Sequence, residues 1–212
     1  MEQEMKYYER IPKKADNPLP FNYKADKVRQ QPLCIPRWHE EIEIKYILSG
    51  TAEFICGTEV FIAGAGDIIV INPCELHGMK TYGNDTVTYH LLMVSAELPL
   101  LRSDAQATMP HFKHLIKGDT ILAGNLKLLF QELTEMSPAY ELSALGALAL
   151  IFSRLKRCHA IAEPVNTQEH RRSVERLKPA LDHIVRHYVE DISIQELAQL
   201  CTMSVYHFCR VF

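Results

Sequence analysis

The spacing of the hydrophobic residues changes once along this 212-residue chain, in the stretch between Pro99 and Pro110. Before it, from Lys6 to about Glu97, short apolar or alternating runs end in glycine, proline or asparagine, as in EIEIKYILSG and DIIVINP. Short strands with such punctuation are typical of an antiparallel sandwich or barrel. After it, apolar residues recur every three or four positions, which predicts helices. The chain is therefore expected to combine an N-terminal β-domain with helices that follow it.

Two apolar stripes in the helical part each predict a helix of about four turns or more. Their members are Leu122, Leu126, Leu129, Phe130 and Leu133, followed by Leu142, Leu145, Leu148, Phe152 and Leu155. Such stripes pack on the barrel or pair with a second copy of the chain. A polar stretch without periodicity, which contains Pro164, then has the character of a linker. We therefore expect a first domain over residues 1–160, a linker over 161–172 and a smaller helical domain over 173–212.

Charge and cysteine content narrow the class of protein. Lysine and arginine number 23 against 26 aspartates and glutamates, a net charge of −3, so any contact with nucleic acid must be local. The six cysteines lack a C-x-x-C pair and the spacing of a zinc site or disulfide framework, which predicts reduced thiols. The N-terminus is charged and no apolar run reaches about 18 residues, which favours a cytoplasmic protein without a membrane partner.

The last twenty residues, SIQELAQLCTMSVYHFCRVF, have the pattern of two short helices with a tight connection. Ser193 and Glu196 have the spacing of a capping box, and Ser204 is a suitable N-cap for the second helix. The predicted apolar faces are Ile194, Leu197, Ala198 and Cys201 on the first helix, and Val205, Phe208, Val211 and Phe212 on the second. This arrangement is a helix-turn-helix pattern.

The pattern I-x4-L-A-x4-M-S-x3-F-x-R-x-F, which begins at Ile192, closely resembles the first helix-turn-helix of AraC-type regulators. The resemblance implies that the second helix lies in a major groove, with Ser204, Tyr206, Cys209 and Arg210 as candidate DNA contacts. Arg210 is the strongest, because a guanidinium binds guanine bidentately or clamps a phosphate. For Tyr206 and Cys209 the alternative is an ordinary surface position. Thr202 stands where many members carry glycine, so a strained turn is expected. The second helix-turn-helix of the family is not in this sequence.

Two stretches of the β-region resemble the paired motifs of a cupin barrel, RWHEEIEIKYILSG from Arg37 and GDIIVINPCELHG from Gly66. In metal-dependent cupins these motifs bind a divalent ion through three histidines and a glutamate. Here Arg37 replaces the first histidine, whereas His39, Glu43 and His77 remain. The second motif also departs from the pattern, with Asn72 for proline and Cys74 for glycine.

Three uses of these residues are open. Two histidines and a carboxylate suffice for ferrous iron, although Arg37 beside them would repel a cation. The same pocket could instead bind a small anionic or hydroxylated effector, such as a sugar or organic acid, through Arg37, His39, Glu43 and His77. The third use is a salt-bridged rim without a ligand. The AraC-type resemblance favours the effector, without metal or other cofactor.

Strand parity adds further inward candidates, because Glu41, Lys45 and Ile47 share the face of Glu43. Trp38 and the pair Tyr7-Tyr8 are aromatic residues that could stack on a ligand or close the pocket over it. The ordinary role of aromatic residues beside strands is core or rim packing.

The two resemblances together predict a mixed β and α fold: an N-terminal cupin-like β-barrel or sandwich, following helices, and an incomplete all-α helix-turn-helix domain. They predict a ligand-responsive DNA-binding transcriptional regulator rather than an enzyme, with DNA as a partner of the full-length protein and with a small-molecule effector and a homodimeric second copy as further partners. One alternative is a metal-dependent cupin enzyme, an oxygenase or isomerase, that uses His39, Glu43 and His77. The other is an interaction module that dimerises through the Ile121 to Leu155 helices and binds no effector.

Overall fold

The computed structural model describes residues 18–31, 34, 36–96, 98–99, 110–161, 176–184, 187 and 189–212. The strands in this part are β1 (Phe21–Arg29), β2 (Glu41–Ser49), β3 (Thr51–Cys56), β4 (Glu59–Gly64), β5 (Ile68–Ile71), β6 (His77–Lys80), β7 (Val87–Ser95) and β8 (Leu115–Ile116). The helices are α1 (Thr120–Glu135), α2 (Tyr140–Cys158), α3 (residues 176–184), α4 (Ile194–Leu200) and α5 (Val205–Val211). Apart from the two-residue β8, the strands precede Pro99, as the change of hydrophobic spacing predicts.

The strands form two antiparallel sheets, which confirms the predicted mixed β and α class. The larger sheet has the order β1-β7-β2-β5-β8 and the smaller one β4-β3-β6. Side chains alternate along β2, so Ile42 and Ile44 join the core beneath the helices, whereas Ile47 joins a core shared by both sheets. Tyr89 and Leu91 of β7 belong to that second core. The barrel interior and the helix-covered face are thus separated by a single sheet.

Helices α1 and α2 pack on the outer face of the larger sheet. All five predicted stripe residues of α1 are buried. In α2 the buried side chains are Ala144, Ala147, Leu148, Ile151, Phe152 and Leu155. Leu142, the first residue of the predicted stripe, is 72% exposed and does not pack on the sheet. The buried face of this helix runs through the small residues Ala144 and Ala147, which leaves the first-turn leucine on the outside.

Asp119 connects the start of α1 to the end of α2. One carboxylate oxygen caps α1 by accepting the Leu122 N–H at 2.9 Å, and the other accepts hydrogen bonds from His159 Nε2 at 2.7 Å and Arg154 Nε at 2.8 Å. Burial disfavours the ionised form, but these hydrogen bonds outweigh it and hold the pKa of Asp119 well below its usual range. The two helices are therefore held together by charge as well as by apolar contact.

Gly50, the last residue of the first cupin-like motif, turns the chain from β2 into β3. Its φ is +77°, in the left-handed region that glycine enters without steric cost. A Cβ at this position would lie 2.0 Å from the carbonyl oxygen of Thr86. The motif glycine is thus required by backbone conformation and by close approach of a neighbouring loop.

Helices α3, α4 and α5 share a small core of their own. Its buried members are Leu177, Ala180, Leu197, Ala198, Cys201 and Phe208. Both predicted N-caps are observed: Ser193 Oγ accepts the Glu196 N–H at 3.1 Å, and Ser204 Oγ accepts the His207 N–H at 3.2 Å. The Glu196 carboxylate pairs with His183 of α3 at 3.1 Å. Thr202 has φ +55°, as the predicted strained turn requires.

Three residues of the predicted apolar faces were placed wrongly. Ile194 is 50% exposed, Val205 40% and Phe212 61%. Ile194 and Val205 are the first residues of α4 and α5, where the side chain lies outside the contact between the helices. Phe212 follows the last turn of α5 and stacks with one ring face on Phe208, with ring centroids 5.1 Å apart.

The predicted linker lies outside the described residues except for Ile161, whose N–H donates to the His111 carbonyl at 2.7 Å. Tyr7 and Tyr8 also lie outside them. Among the residues that the structure describes, no helix combines the length and the apolar character needed to cross a membrane.

Candidate ligand-binding site

A cleft of about 560 Å³, partly open to solvent, lies on the inner face of the larger sheet. Strands β1, β2, β6 and β7 and the segment before β2 line it. The lining residues are Lys24, Lys27, Arg29, Gln31, Arg37, Glu43, Lys45, His77, Gly78, Met79, Tyr89 and Leu91. Tyr89 lies at its floor, with Lys27 Nζ and Lys45 Nζ each 5.8 Å from the ring centroid.

The four predicted effector-binding residues lie at one end of this cleft. Arg37 and His77 form an isolated antiparallel bridge, in which Arg37 N–H donates to the His77 carbonyl at 2.7 Å and His77 N–H donates to the Arg37 carbonyl at 2.8 Å. Arg37, Glu43 and His77 line the cleft. His39 is buried behind them, in contact with Glu43, and its ring meets that of His77 edge-on at 4.8 Å between centroids.

The hydrogen bonds constrain the protons on both imidazoles. His39 Nδ1 lies 3.1 Å from the Glu41 carbonyl and His77 Nδ1 lies 2.9 Å from the Glu75 carbonyl. A carbonyl only accepts, so both Nδ1 atoms donate. His39 Nε2 is also 3.2 Å from Glu43 Oε2, and a bond to an ionised carboxylate there requires a second proton on His39. With Glu43 ionised, His39 and Glu43 therefore form a buried ion pair.

The residues implied by metal-dependent cupins do not fit a resident divalent cation. Ligand atoms of His39, Glu43 and His77 do lie within 4.8 Å of one another. However, the Lys45 ammonium contacts Glu43 Oε1, and Arg37 lines the same cleft. A divalent ion bound to this carboxylate would have to displace one cation and lie beside another, which Coulomb repulsion opposes.

Parity along β2 was a good guide to the inward residues. Lys45 lines the cleft, and Ile47 is buried in the core between the sheets. Glu41 contributes its carbonyl to His39 rather than a side chain to the cleft. Trp38 is 2% exposed and packs in the interior, outside the cleft lining.

Sequence reasoning missed three cations of the cleft, Lys24, Lys27 and Arg29. All belong to β1, where the register with β7 shifts between Lys24 and Lys27. Simple alternation places residues 24 and 27 on opposite faces, so no parity argument finds the group. The available signal was compositional, namely three cations within six positions of a strand-like run.

A second group of histidines and glutamates lies under the loop that joins β5 to β6. Glu75 Oε2 accepts hydrogen bonds from the Asn72 N–H at 3.1 Å and from His114 Nε2 at 2.9 Å, and His111 Nε2 is 3.8 Å from Glu75 Oε1. Burial disfavours both charges, but the hydrogen bond between Glu75 and His114 lowers the pKa of Glu75 and raises that of His114. His114 Nδ1 also contacts Glu59 at 3.1 Å.

The two departures from the second cupin-like motif have structural roles in this loop. Asn72 Oδ1 accepts the Phe112 N–H at 2.8 Å, and its Nδ2 donates to the Phe112 carbonyl at 3.1 Å. Cys74 adopts φ +63°, the left-handed conformation that the motif glycine would favour. Asn72 thus attaches the loop to the segment that leads into α1.

The candidate DNA contacts lie at the other end of the chain, on α5. Tyr206 is 80% exposed, and Cys209 and Arg210 are also exposed. Their i, i+3, i+4 spacing places the three on one side of the helix. The Ser204 hydroxyl is engaged in capping α5.

Comparison with known proteins gives a family and a set of relatives. Residues 27–181 match the protein family described as AraC-like ligand binding domain. Curated relatives are named as uncharacterized HTH-type transcriptional regulators. YdeC of Bacillus subtilis (strain 168) is 27% identical over 186 residues, covering 82% of this chain and 63% of the relative. The chain spans less than two thirds of the length of these relatives.

Solved structures give more distant similarities. ToxT from Vibrio cholerae O395 is 12% identical, with a TM-score of 0.48 over 91% of this chain and 92% of ToxT. A cupin 2 conserved barrel domain protein from Salinispora arenicola CNS-205 is 19% identical, with a TM-score of 0.35 over 42% of this chain and 74% of that protein. The family match covers most of the chain. The chain therefore belongs to the family of AraC-like ligand binding domains.

Proposed function

We propose that this chain is the effector-sensing part of a transcription regulator, in which a small molecule bound in the cleft controls DNA binding. The observation that carries the proposal is the cleft itself, because a family of ligand-binding domains supplies the barrel and Arg37, Glu43 and His77 converge in it. A forked guanidinium and two further polar groups can orient one small polar molecule. The regulator names of the relatives favour this function over catalysis.

Arg37, His39, Glu43 and His77 are proposed as the effector-binding group. Arg37 would bind an anionic or hydroxyl oxygen of the ligand through its guanidinium. His77 and Glu43 would contact the ligand beside it, with His39 positioning Glu43 from behind. Binding a ligand that prefers one arrangement of the molecule would shift the population toward that arrangement.

DNA is the proposed macromolecular partner, contacted by α5. Its exposed side chains Tyr206, Cys209 and Arg210 would face bases, and Ser204 would lie near the backbone at the start of the helix. We propose the same division of the chain as the sequence predicts, with the sensing domain over 1–160, the linker over 161–172 and the partial DNA-binding domain over 173–212.

A second copy of the chain is the proposed partner of α2. Its outward side carries the exposed Leu142, Gly146 and Leu150 and the half-buried Ala149 and Ser153. Leu142 and Leu150 are 72% and 54% exposed, and a Cβ added at Gly146 would meet nothing within 4 Å. An apolar, small-residue face of this kind allows close approach of another helix.

The homodimer is tested by light scattering at micromolar concentration. Leu150→Glu should convert the dimer to a monomer, because it places a charge in an apolar contact. Val60→Glu is the matched control, since Val60 is 61% exposed on β4, away from α2. A parent chain that is already monomeric would contradict the dimer and leave the effector proposal standing.

The effector function is tested by calorimetry of the whole chain against sugars, carboxylates and amines. A ligand of the cleft should lose about tenfold or more in affinity with Arg37→Ala, because a charge-assisted hydrogen bond is removed. Arg157→Ala, an exposed arginine of α2, is the control and should bind as the parent does. The same ligand should change the affinity for DNA flanking the gene. Near-stoichiometric iron, manganese or zinc in the purified protein would instead support the metal-dependent enzyme.

A further inference from the structure

The bulge in β1 gives the cleft its charge. Lys24 pairs with Leu91, and Lys27 pairs with Tyr89, so three steps on β1 correspond to two on β7. One extra residue shifts the alternation by one position, so Lys24, Lys27 and Arg29 point to the same face of the sheet. Their register partners on β7 are Leu91, Tyr89 and Val87, respectively. Bulges are frequent where a strand must re-aim a side chain beside a functional site.

The bulge has its own anchors on the outer side of the strand. Asp26 adopts φ +47°, and its N–H donates to His90 Nδ1 at 3.2 Å. His90 in turn stacks on Phe130 of α1, with ring centroids 4.2 Å apart. The irregularity that collects the three cations is therefore held by side chains of β7 and α1.

The cleft lining is strongly cationic. Five lining side chains are lysine or arginine: Lys24, Lys27, Arg29, Arg37 and Lys45. Among the lining residues that the structure describes, Glu43 is the only carboxylate, and it contacts Lys45 and the buried His39. The chain as a whole has a net charge of −3, so this excess is local. Positive charge concentrated in a concave site attracts anions and strengthens their binding.

The cations lie on both sides of the cleft floor. Lys24 on β1 and Lys45 on β2 are both register partners of Leu91, so they flank one position of β7 from either side. Neighbouring strands are about 4.8 Å apart, which separates the backbones of β1 and β2 by about 10 Å. Arg37 is joined to His77 by a backbone bridge, and Lys27 and Arg29 lie on the β1 side.

We propose that the ligand of this cleft is a small organic anion with at least two negatively charged groups, carboxylate or phosphate. One group binds at Arg37 and Lys45, and the other binds to the β1 cations Lys24, Lys27 and Arg29. The proposal rests on the proposed effector function and specifies the chemistry of the effector.

Calorimetry of the whole chain with acetate, succinate, citrate, glucose and fructose 1,6-bisphosphate tests the proposal. Affinity should rise by about tenfold or more from acetate to succinate or citrate, and should fall as salt is added. Comparison of citrate with fructose 1,6-bisphosphate distinguishes a polycarboxylate from a compound with two phosphate groups. Glucose should not bind detectably.

The double variant Lys27→Gln, Arg29→Gln should lower the affinity for the multivalent anion by about tenfold or more and the affinity for acetate much less. Lys113→Gln, an exposed lysine outside the cleft lining, is the control. Thermal melts should show that all variants remain folded, since the replaced side chains lie at a cleft open to solvent.

Two results would overturn the inference. Equal affinity for acetate, succinate and citrate would show that the β1 cations bind no second anionic group. A neutral compound whose binding is abolished by Arg37→Ala but unaffected by the double variant would refute the multivalent anion while supporting the effector function. Absence of binding by every probe, charged or neutral, would count against both.

Discussion

Two histidine–glutamate clusters lie on neighbouring parts of the barrel; both are largely buried, and they differ in whether they border the cleft. The open cluster, His39, Glu43 and His77, borders the cationic cleft. The closed cluster, Glu75, His111 and His114, lies under the loop after β5, outside the cleft lining. A bond from His77 Nδ1 to the Glu75 carbonyl connects them. The same residue types therefore border a cleft in one place and attach a segment of the chain in the other.

The environment of each carboxylate explains the difference. Glu75 accepts hydrogen bonds from His114 and from the Asn72 N–H. Asn72 in turn joins it to the segment leading into α1. Glu43 contacts the Lys45 ammonium and His39 Nε2, and it lines a cleft that is partly open to solvent. Removing the carboxylate leaves a largely buried partner in either cluster, but only in the open cluster is that partner a flexible lysine that lines the cleft, where its ammonium can reach water.

The largest expected effect is that of Glu75→Gln on stability. It should lower the free energy of unfolding by about 3 kcal/mol, because the charge of His114 loses its buried partner. The matched change Glu43→Gln should cost only about 1 kcal/mol, because Lys45 lines the cleft and its flexible side chain can turn the ammonium toward the solvent there. Urea denaturation of both variants measures the difference. Equal losses would remove the distinction between the clusters.

Asn72→Ala should come next, with a loss of about 2 kcal/mol in the free energy of unfolding. It removes the hydrogen bonds to the Phe112 backbone and leaves a buried N–H and carbonyl with no side-chain partner. Asn84→Ala, at an exposed turn where the side chain meets Gln30, should cost less than about 0.5 kcal/mol. A tolerated Asn72→Ala would mean that the loop does not hold this segment.

The pH dependence of stability should identify the closed cluster. The pKa of Glu75 lies below its ordinary value of 4.5, so its contribution is lost as pH falls through the folded-state pKa. The pKa of His114 lies above its ordinary value of 6.5, so its contribution is lost as pH rises through the folded-state pKa. Both contributions are present between pH 4.5 and 6.5.

Thermal melts from about pH 4 to about pH 8 should therefore show the largest difference in the free energy of unfolding between the parent and His114→Gln within that window. The parent should be more stable there by on the order of 1 kcal/mol. A difference between parent and variant that does not vary with pH would show that the pair is not ionised in the folded protein.

The smallest effect on stability is expected from Arg37→Gln. The bridge to His77 uses backbone atoms and survives the change, so the free energy of unfolding should alter by less than about 0.5 kcal/mol. Its effect on ligand affinity should be large, because the side chain lines the cleft. A large loss of stability would move Arg37 from the ligand site to the framework of the barrel.

Much of the fold could be predicted from local patterns. The change of hydrophobic spacing separated strands from helices, and the capping serines Ser193 and Ser204 marked the starts of α4 and α5. Apolar periodicity located the buried face of α1 but did not decide whether Leu142 packs on the sheet, because which face of a helix is covered depends on the neighbouring sheet. Exposure of Phe212 likewise depends on what surrounds α5.

The sequence by itself determined the barrel motifs, their glycine at Gly50 and the alternation that directs Glu43 and Lys45 inward, because these depend on backbone conformation and strand period. Only the tertiary structure decided that Lys24, Lys27 and Arg29 face the same cleft, because a bulge is defined by pairing with a strand more than sixty residues away. Only it separated the open cluster from the closed one, since which residues line a cleft is a property of the packed molecule rather than of any local pattern.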